Sequence, residues 1–346
     1  MRDIKYSQAI SEALVQSMAN DPTIFIYGVG AADPTGIFGT TREAALKFGP
    51  SRVMDMPMSE NTLTGIGVGA AMSGLRPVLV HARNDFLLLT MDQIVNHAAK
   101  WRYMSGGQFS VPLLIRAIIG RGWGQAAQHS QSLQALFAHI PGLQVIMPAT
   151  PYDAKGLLIS SLKSDRTTIC LEHRWLYDKT GSVPEEIYEV PFGKGAIVRT
   201  GKDITLVAIS HMLLEAKIAA DMLAKENIDV EIIDPRSLRP LDEPLILESL
   251  KKTGRLVVAD TGWTTCGLTA EIAAIAVEKG FHDLKAPVIR IGLPDTPTPC
   301  SSVLEAAYYP TANTIYQSIH NLVRPTTQSI ASTEPTISKK EFSGPF

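Results

Sequence analysis

The chain alternates short apolar runs rich in β-branched residues with longer stretches that have the apolar spacing of helices. In the first half these runs include Ile24–Tyr27, Pro77–Val80 and Val111–Arg116, and most are continuously apolar instead of alternating with polar residues. Continuous apolar runs are typical of parallel strands covered by helices on both faces. The pattern therefore predicts parallel sheets built from βαβ units.

This alternation of strand and helix patterns stops between His173 and Gly195, where the sequence is polar and contains prolines. It resumes at Ile204. The length of 346 residues exceeds the ~100–200 residues of a common domain. We therefore predict two doubly wound α/β domains, at residues 1–180 and 201–323, joined by a linker at 181–200. Residues 324–346 have too few apolar side chains to offset the entropy of ordering, so we predict a disordered tail.

Apolar spacing between the strands predicts several helices, among them Asn61–Ser73 and Leu87–Lys100. The helix predicted at Pro151–Leu162 also has terminal signals. Thr150 is its expected N-cap, and Asp153 lies in its first turn.

The composition excludes several classes of protein. Its 32 basic and 34 acidic residues give a net charge of −2, so no excess of positive charge is present for binding nucleic acid. No stretch approaches the ~20 apolar residues of a membrane span, and polar residues interrupt the N-terminal stretch where a signal peptide would be apolar. The separated cysteines Cys170, Cys266 and Cys300 suit reduced thiols, so we expect a cytoplasmic protein without a zinc cluster.

Glycines near the strand ends give two candidate ligand sites. The segment Gly28–Asp33 follows a predicted strand but does not complete the G-x-G-x-x-G pattern, and no P-loop occurs. From the residues alone, a nicotinamide-dependent dehydrogenase stays an alternative. In Gly65–Gly74 the small residues recur at one-turn spacings, which favours close helix packing over ligand binding.

Two polar residues lie near predicted strand ends, where ligands collect in parallel sheets. Glu60 begins the glycine-rich helix, where a carboxylate either stabilises the helix dipole or contacts a ligand at the helix end. His129 lies in the loop Gly120–Ser132 that follows a central strand. It is either an active-site residue or merely flanks Ser130 or Ser132, if one of these serines caps the next helix.

Longer segments carry a family resemblance. Over residues 1 to about 323, the chain resembles the β subunits of thiamine-diphosphate-dependent 2-oxo acid dehydrogenase decarboxylase components (pyruvate, branched-chain and acetoin types) of the transketolase-like superfamily. The resemblance implies a thiamine-diphosphate-binding pyrimidine domain followed by a transketolase C-terminal-like domain. The segments that carry it are Arg52–Glu60, Gly65–Pro77, Asp92–Lys100, Tyr103–Gly107, Gln128–Ser132, Val230–Pro240 and Ala270–Ile272.

By position, the resemblance implies that Glu60 is the cofactor glutamate, Phe86 the stacking aromatic residue and His129 the active-site histidine. A carboxylic acid against the pyrimidine ring nitrogen assists the proton transfer that activates the cofactor. An aromatic face fixes the angle of the pyrimidine. A histidine near the reacting carbonyl stabilises developing negative charge.

The diphosphate and magnesium motif of thiamine enzymes, GDG followed by a distant asparagine, is missing, and the dipeptide Gly-Asp does not occur in this sequence. In the resembled family this motif belongs to a separate α subunit. The resemblance therefore implies that this chain holds the pyrimidine half of the site and no metal ligands. An α subunit would bind Mg²⁺ and complete an α2β2 heterotetramer.

Several segments depart from the family pattern on the side expected to face substrate. Gly28–Asp33 lacks an acidic residue usual in the family, His81–Asp85 replaces acidic or aromatic residues before Phe86, and the histidine loop carries Arg121–Trp123. These departures leave the 2-oxo acid and the acyl acceptor undetermined.

The resemblance also implies a monovalent-cation site built largely from backbone carbonyl groups. An arginine replaces a neutral residue there, which disfavours a bound potassium ion. The site would map near Leu113, Ser161, Leu162, Ser164 and Arg166.

Three functions follow from these observations. The leading hypothesis is the β subunit of a 2-oxo acid decarboxylating dehydrogenase that passes an acyl group to a lipoyl carrier, with a lipoyl acyltransferase as a further partner. The second is a two-subunit carboligase that joins the acyl unit to an aldehyde or ketone. The third is a non-catalytic scaffold of the same fold.

Overall fold

The structure is a computed structural model that describes residues 1–33, 35–120 and 124–324. The departure at Arg121–Trp123 and the predicted tail from residue 325 onward lie outside the described residues. The strands are β1 (Arg2–Lys5), β2 (Ile24–Gly28), β3 (Val53–Asp55), β4 (Arg76–His81), β5 (Leu114–Ile119), β6 (Gln144–Ile146), β7 (Thr168–His173), β8 (Thr180–Val183), β9 (Ala196–Arg199), β10 (Ile204–Ala208), β11 (Val230–Asp234), β12 (Ser237–Arg239), β13 (Leu256–Trp263) and β14 (Ile289–Leu293). The helices are α1 (Tyr6–Asn20), α2 (Gly36–Gly39), α3 (Arg42–Phe48), α4 (Glu60–Met72), α5 (Trp101–Met104), α6 (Gln134–Ala138), α7 (Pro151–Lys163), α8 (Met212–Ala224), α9 (Glu243–Thr253), α10 (Leu268–Gly280), α11 (Ser302–Tyr308) and α12 (Ala312–Val323).

In the described chain, one sheet has the strand order β12-β6-β7-β5-β4-β2-β3. Its neighbours are parallel except for β12, which pairs antiparallel with β6. Helices α1 and α7 pack together on one face, and α4 packs against β4 from the other side. Because apolar side chains from both faces are buried, the strands have continuous apolar runs, as predicted.

A second sheet has the order β14-β13-β10-β11-β9 and is parallel except for β9. Helices α8 and α12 cover one face, and α9 and α10 cover the other. The predicted fold class of two doubly wound α/β units is therefore confirmed, with antiparallel strands added at sheet edges. The division at residues 180 and 200 stays a prediction.

Helix α7 begins where its terminal signals predict. The backbone N–H of Asp153 donates to the hydroxyl oxygen of Thr150 at 3.1 Å, and Pro151 is the first helical residue. The side chain of Thr150 thus satisfies a backbone donor that has no partner within the first turn.

The single helix predicted at Leu87–Lys100 is wrong. The chain forms a 3₁₀ segment at Asn84–Thr90, a wide π-type turn at Gln93–Ala98 and then α5. The hydroxyl of Thr90 donates to the carbonyl oxygen of Leu87 at 2.8 Å, three residues earlier, which suits the tighter turn. Tertiary contacts determine the helix type here, because side chains of the same segment lie at the sheet edge and bond across it.

The contacts that hold the chain after the first sheet had no signal in the sequence. Strand β1 pairs antiparallel with β8, at the start of the predicted linker. The buried ammonium group of Lys155 then donates to the carbonyl oxygens of Pro184, Glu185 and Glu186 at 2.8, 3.0 and 2.9 Å. These bonds fix the chain as it leaves the first sheet.

The two sheets also share buried contacts. One apolar cluster includes Phe137 and Val145 beside the first sheet and Ile246 and Leu268 beside the second. Within this region, the amide nitrogen of Gln134 donates to both carboxylate oxygens of Asp260 at 2.8 and 2.9 Å. Helix α6 is thereby attached to the end of β13. No helix among the described residues is both long and apolar enough to cross a membrane.

The carboxyl group of Asp260 makes stability depend on pH. Burial raises its pKa from 3.8 to about 6, although bonds from Gln134 and from the backbone oppose the shift. The folded protein therefore holds a proton that the unfolded chain has released between about pH 4 and 6, and stability falls as pH rises through this range.

Asp260→Asn removes this titration, so the free energy of unfolding of the native protein is expected to fall by up to about 3 kcal/mol relative to the variant between pH 4 and 7. Urea unfolding at closely spaced pH values measures the difference. The exposed Asp178 provides the control, since Asp178→Asn leaves the buried carboxyl in place. Parallel pH curves for native protein and Asp260→Asn would contradict the assignment.

Candidate active site

The candidate site lies at the carboxyl ends of neighbouring parallel strands. Strands β4, β5 and β7 are adjacent, and each is followed by polar residues at the same sheet edge. Ligands bind at such edges in open α/β sheets. Residues distant in sequence therefore meet here.

Glu60 is the first residue of α4, which follows β3. It is half-buried, and within the described part of the chain its carboxylate makes no hydrogen bond or ion pair. The Ser59 hydroxyl instead donates to the hydroxyl oxygen of Thr62 at 2.9 Å. The carboxylate is thus favourably placed at the positive end of the helix and is open to a ligand.

Close packing explains one glycine of α4. The hydroxyl of Tyr27 on β2 donates to the carbonyl oxygen of Leu63 at 2.9 Å. A Cβ atom on Gly67 would lie 2.1 Å from that hydroxyl, whereas Gly69 faces open space. The packing interpretation of this segment is confirmed at Gly67.

Phe86 and His129 meet at the site. Their ring centroids are 5.4 Å apart and the rings are nearly perpendicular, at 80°. Phe86 is 36% exposed and belongs to the 3₁₀ segment that packs against α4. The structure therefore brings together two residues that are 43 positions apart in sequence, and the segment of Phe86 adjoins the helix of Glu60.

The alternative in which a serine caps the helix after His129 is wrong. Helix α6 begins at Gln134 with Leu133 as its N-cap, and no side chain caps it. The hydroxyls of Ser130 and Ser132 are buried, and neither has a hydrogen-bond partner among the described residues. The turn that contains His129 is held by other contacts.

Sequence reasoning missed the residues that hold this loop, although the polar run His81–Asp85 was a signal. Asn84 and Asp85 bond to Gln131 across the sheet edge. Arg83 donates to the side-chain oxygen of Gln125, which also accepts from Arg174 at 2.9 Å. The loop is therefore fixed from the ends of β4 and β7, the strands on either side of β5.

Burial lowers the pKa values of two members of the polar run, His81 and Arg83. Burial lowers the pKa of His81 to about 4, so its imidazole is neutral at pH 7. Its Nε2 atom has no hydrogen-bond partner in the part of the chain that the structure describes. Burial also lowers the pKa of Arg83, while the negative charge of Asp85 opposes that shift.

The residues mapped to a cation site already use some of their carbonyl groups. The guanidinium of Arg76 donates to the carbonyl oxygens of Leu162 and Ser164 at 3.0 and 2.9 Å. Arg166 is exposed. In the described ranges no cluster of three or more His, Cys, Asp or Glu side chains is arranged to hold a metal ion.

Comparisons with known proteins agree with this architecture. The transketolase pyrimidine-binding domain matches residues 2–179, and the transketolase C-terminal domain matches residues 193–315. A solved structure described as a split-gene transketolase in an inactive β4 tetramer superposes with a TM-score of 0.74 and 24% identity, covering 92% of this chain and 98% of that one. The fold and site thus define a transketolase-type protein of the thiamine-diphosphate-dependent class.

Sequence relatives narrow the class. The β subunits of acetoin:2,6-dichlorophenolindophenol oxidoreductase from Cupriavidus necator and Bacillus subtilis are 43% and 41% identical, over 90% and 91% of this chain and 95% of each relative. The pyruvate dehydrogenase E1 component subunit beta of Rickettsia felis is 38% identical, over 91% of this chain and 97% of the relative. The chain belongs to the family of 2-oxo acid dehydrogenase E1 β subunits. This membership replaces the alternative of a nicotinamide-dependent dehydrogenase.

The contrast between Gly67 and Gly69 gives a test of how α4 is held. Gly67→Ala is expected to lower the free energy of unfolding by about 1–3 kcal/mol, because its methyl group would overlap the Tyr27 hydroxyl. Gly69→Ala is the matched control in the same helix and is expected to raise stability by up to about 1 kcal/mol. Chemical unfolding of both variants measures the difference, and equal effects would contradict the packing role of Gly67.

Proposed function

We propose that this chain is the β subunit of a thiamine-diphosphate-dependent 2-oxo acid dehydrogenase. Together with an α subunit it decarboxylates a 2-oxo acid and transfers the acyl group to a lipoyl carrier. The names of the acetoin and pyruvate dehydrogenase relatives support this function. The observation that carries it is the 5.4 Å separation of the Phe86 and His129 rings, with Phe86 on a segment that packs against the helix of Glu60.

The described residues fit the pyrimidine end of the cofactor. Glu60 has a carboxylate without a partner among them, and Phe86 has an exposed ring. When bound, thiamine diphosphate supplies a carbon nucleophile and then accepts the electrons released by decarboxylation. In this proposal Glu60 holds and moves a proton at the pyrimidine ring nitrogen, and Phe86 orients that ring. His129 donates a hydrogen bond to the oxygen of the reacting carbonyl as negative charge develops there.

Apolar surface near these residues supports a partner subunit. Met58 lies two residues before Glu60 and is 81% exposed, and Leu89 lies three residues after Phe86 and is 60% exposed. Large apolar side chains exposed beside a candidate site are typical of protein interfaces. We assign this surface to the α subunit, which would bind the diphosphate and Mg²⁺ in an α2β2 heterotetramer.

Two further assignments belong to this proposal. We place the protein in the cytoplasm, supported by three cysteines that form no disulfide. We assign no potassium ion to the mapped cation site, because Arg76 already donates to two of its carbonyl oxygens.

The reaction is tested in the complex reconstituted from both subunits with a 2-oxo acid and a lipoyl-bearing acyltransferase domain. We expect CO₂ release coupled to acylation of the lipoyl group, and no turnover by this chain without its α subunit. Carbon–carbon bond formation with an aldehyde or ketone, without a lipoyl group, would instead support the carboligase. A complex that binds no thiamine diphosphate would support the scaffold.

Glu60→Gln is expected to lower turnover by ~10²–10⁴-fold without disrupting the complex, because the amide has nearly the same shape but cannot move the proton. Exchange of the thiazolium C–H for deuterium measures the affected step directly. Glu43→Gln is the matched control, since Glu43 is also an acidic residue in a first helical turn, that of α3. If exchange is equally fast in Glu60→Gln and the native complex, Glu60 acts only on the helix dipole.

A further inference from the structure

The loop that carries His129 is bonded to the residues directly before Phe86. The carboxylate oxygen Oδ1 of Asp85 accepts from the backbone N–H of Gln131 at 3.1 Å and from the Gln131 side-chain amide at 3.0 Å. One carboxylate therefore fixes both the backbone and the side chain of a residue two positions after His129.

Asn84 adds a second pair of bonds to the same loop. Its amide nitrogen donates to the carbonyl oxygen of Gln131 at 2.9 Å, and its amide oxygen accepts from the backbone N–H of Leu133 at 3.1 Å. Asn84 is fully buried. Its side chain thus satisfies backbone groups of the loop that no strand or helix pairs.

Burial of the Asp85 carboxylate costs desolvation free energy, and its hydrogen bonds have to offset that cost. Asp85 is 6% exposed. Burial raises the pKa of Asp85, whereas the bonds from Gln131 and the positive charge of Arg83 lower it. An apolar residue would fill the same space without the desolvation cost. The geometry therefore indicates that the acceptor oxygens of Asp85 serve the loop.

The adjacency of these residues in sequence has a further consequence. Asn84 and Asp85 precede Phe86 directly, so one short 3₁₀ segment both presents the Phe86 ring and holds the loop of His129. The separation of 5.4 Å between the two rings is thus set by a few bonds within one segment and its partner loop.

We propose that Asp85, assisted by Asn84, is a positioning residue that holds His129 against Phe86 in its working orientation. This inference rests on the proposed function, because it assigns a role to Asp85 through the catalytic role of His129. Because Gln131 lies two residues after His129, its bonds to Asp85 and Asn84 hold the histidine at a fixed position relative to the sheet edge.

The first test compares Asp85→Ala with Asp85→Asn in the reconstituted complex. Asp85→Ala removes the acceptor of both Gln131 bonds, and turnover is expected to fall ~10–100-fold. Asp85→Asn keeps an oxygen at the same place for both Gln131 bonds and loses the negative charge near Arg83 and a long 3.3 Å contact with Asn84, so turnover within ~3-fold of native is expected. Asp178→Ala, at an exposed site, controls for loss of a carboxylate. If the alanine and asparagine variants have equal activity, the positioning role is overturned.

Two measurements separate positioning from general damage. Amide hydrogen exchange of Gln131 is expected to accelerate ~10-fold or more in Asp85→Ala, with exchange in α4 unchanged. The exchange of the thiazolium C–H, which depends on Glu60, is expected to stay at the native rate. Slower thiazolium exchange, or faster amide exchange throughout the first sheet, would show damage to the fold and overturn the proposal.

A double-mutant cycle distinguishes this inference from the proposed function. His129→Ala is expected to lower turnover ~10²–10⁴-fold, with the exposed His139→Ala as control. Adding Asp85→Ala to His129→Ala is expected to cost nothing further, because the group that Asp85 positions is gone. Additive losses would mean that Asp85 acts independently of His129. The inference would then fail while the proposed function stands. If His129→Ala keeps full turnover, the catalytic role of His129 in the proposed function fails as well.

Discussion

A buried ion pair between two central strands anchors the sheet edge on which the site is built. The guanidinium of Arg116 on β5 bonds to the carboxylate of Glu172 on β7 at 2.6 and 2.9 Å, and both side chains are 1% exposed. The pair also reaches the following loops. Tyr177 donates to Glu172 at 2.6 Å, and Arg116 donates to Thr40 at 3.1 Å. Removing one partner of such a pair leaves a buried charge unbalanced, so these loops and strands keep one relative position.

Beyond that edge, hydrogen bonds from side chains, and not further strands or helices, hold the polar residues of the site in place. The loop after β5 crosses the sheet edge with few backbone pairings, and Asn84 and Asp85 supply the missing acceptors and donor. Loops suit function because a rigid scaffold positions them while their sequence is free to vary. Here the same short segment places the partly exposed ring of Phe86 beside the ring of His129.

In the proposed function, the chain carries only one side of the chemistry that its family performs. Its acid, aromatic ring and histidine gather at one sheet edge, but the sequence has no motif for a diphosphate and its metal ion. The apolar side chains exposed beside Glu60 and Phe86 fit a site that a partner completes. In that proposal a partner covers the half-site, and burial of this surface would also exclude water from the charged groups and strengthen their interactions.

The sequence by itself determined the α/β class and most strands and helices, because apolar periodicity and terminal signals such as Thr150 act within a few residues. Position near strand ends already indicated Glu60 and His129, and the family resemblance gave them roles and added Phe86. Tertiary structure decided the winding after Asn84, the pairing of β12 with the first sheet and the bond that Gln131 donates to Asp85, 46 residues away. No local pattern encodes such contacts, because their free energy arises only after folding has buried the groups and closed the chain between them.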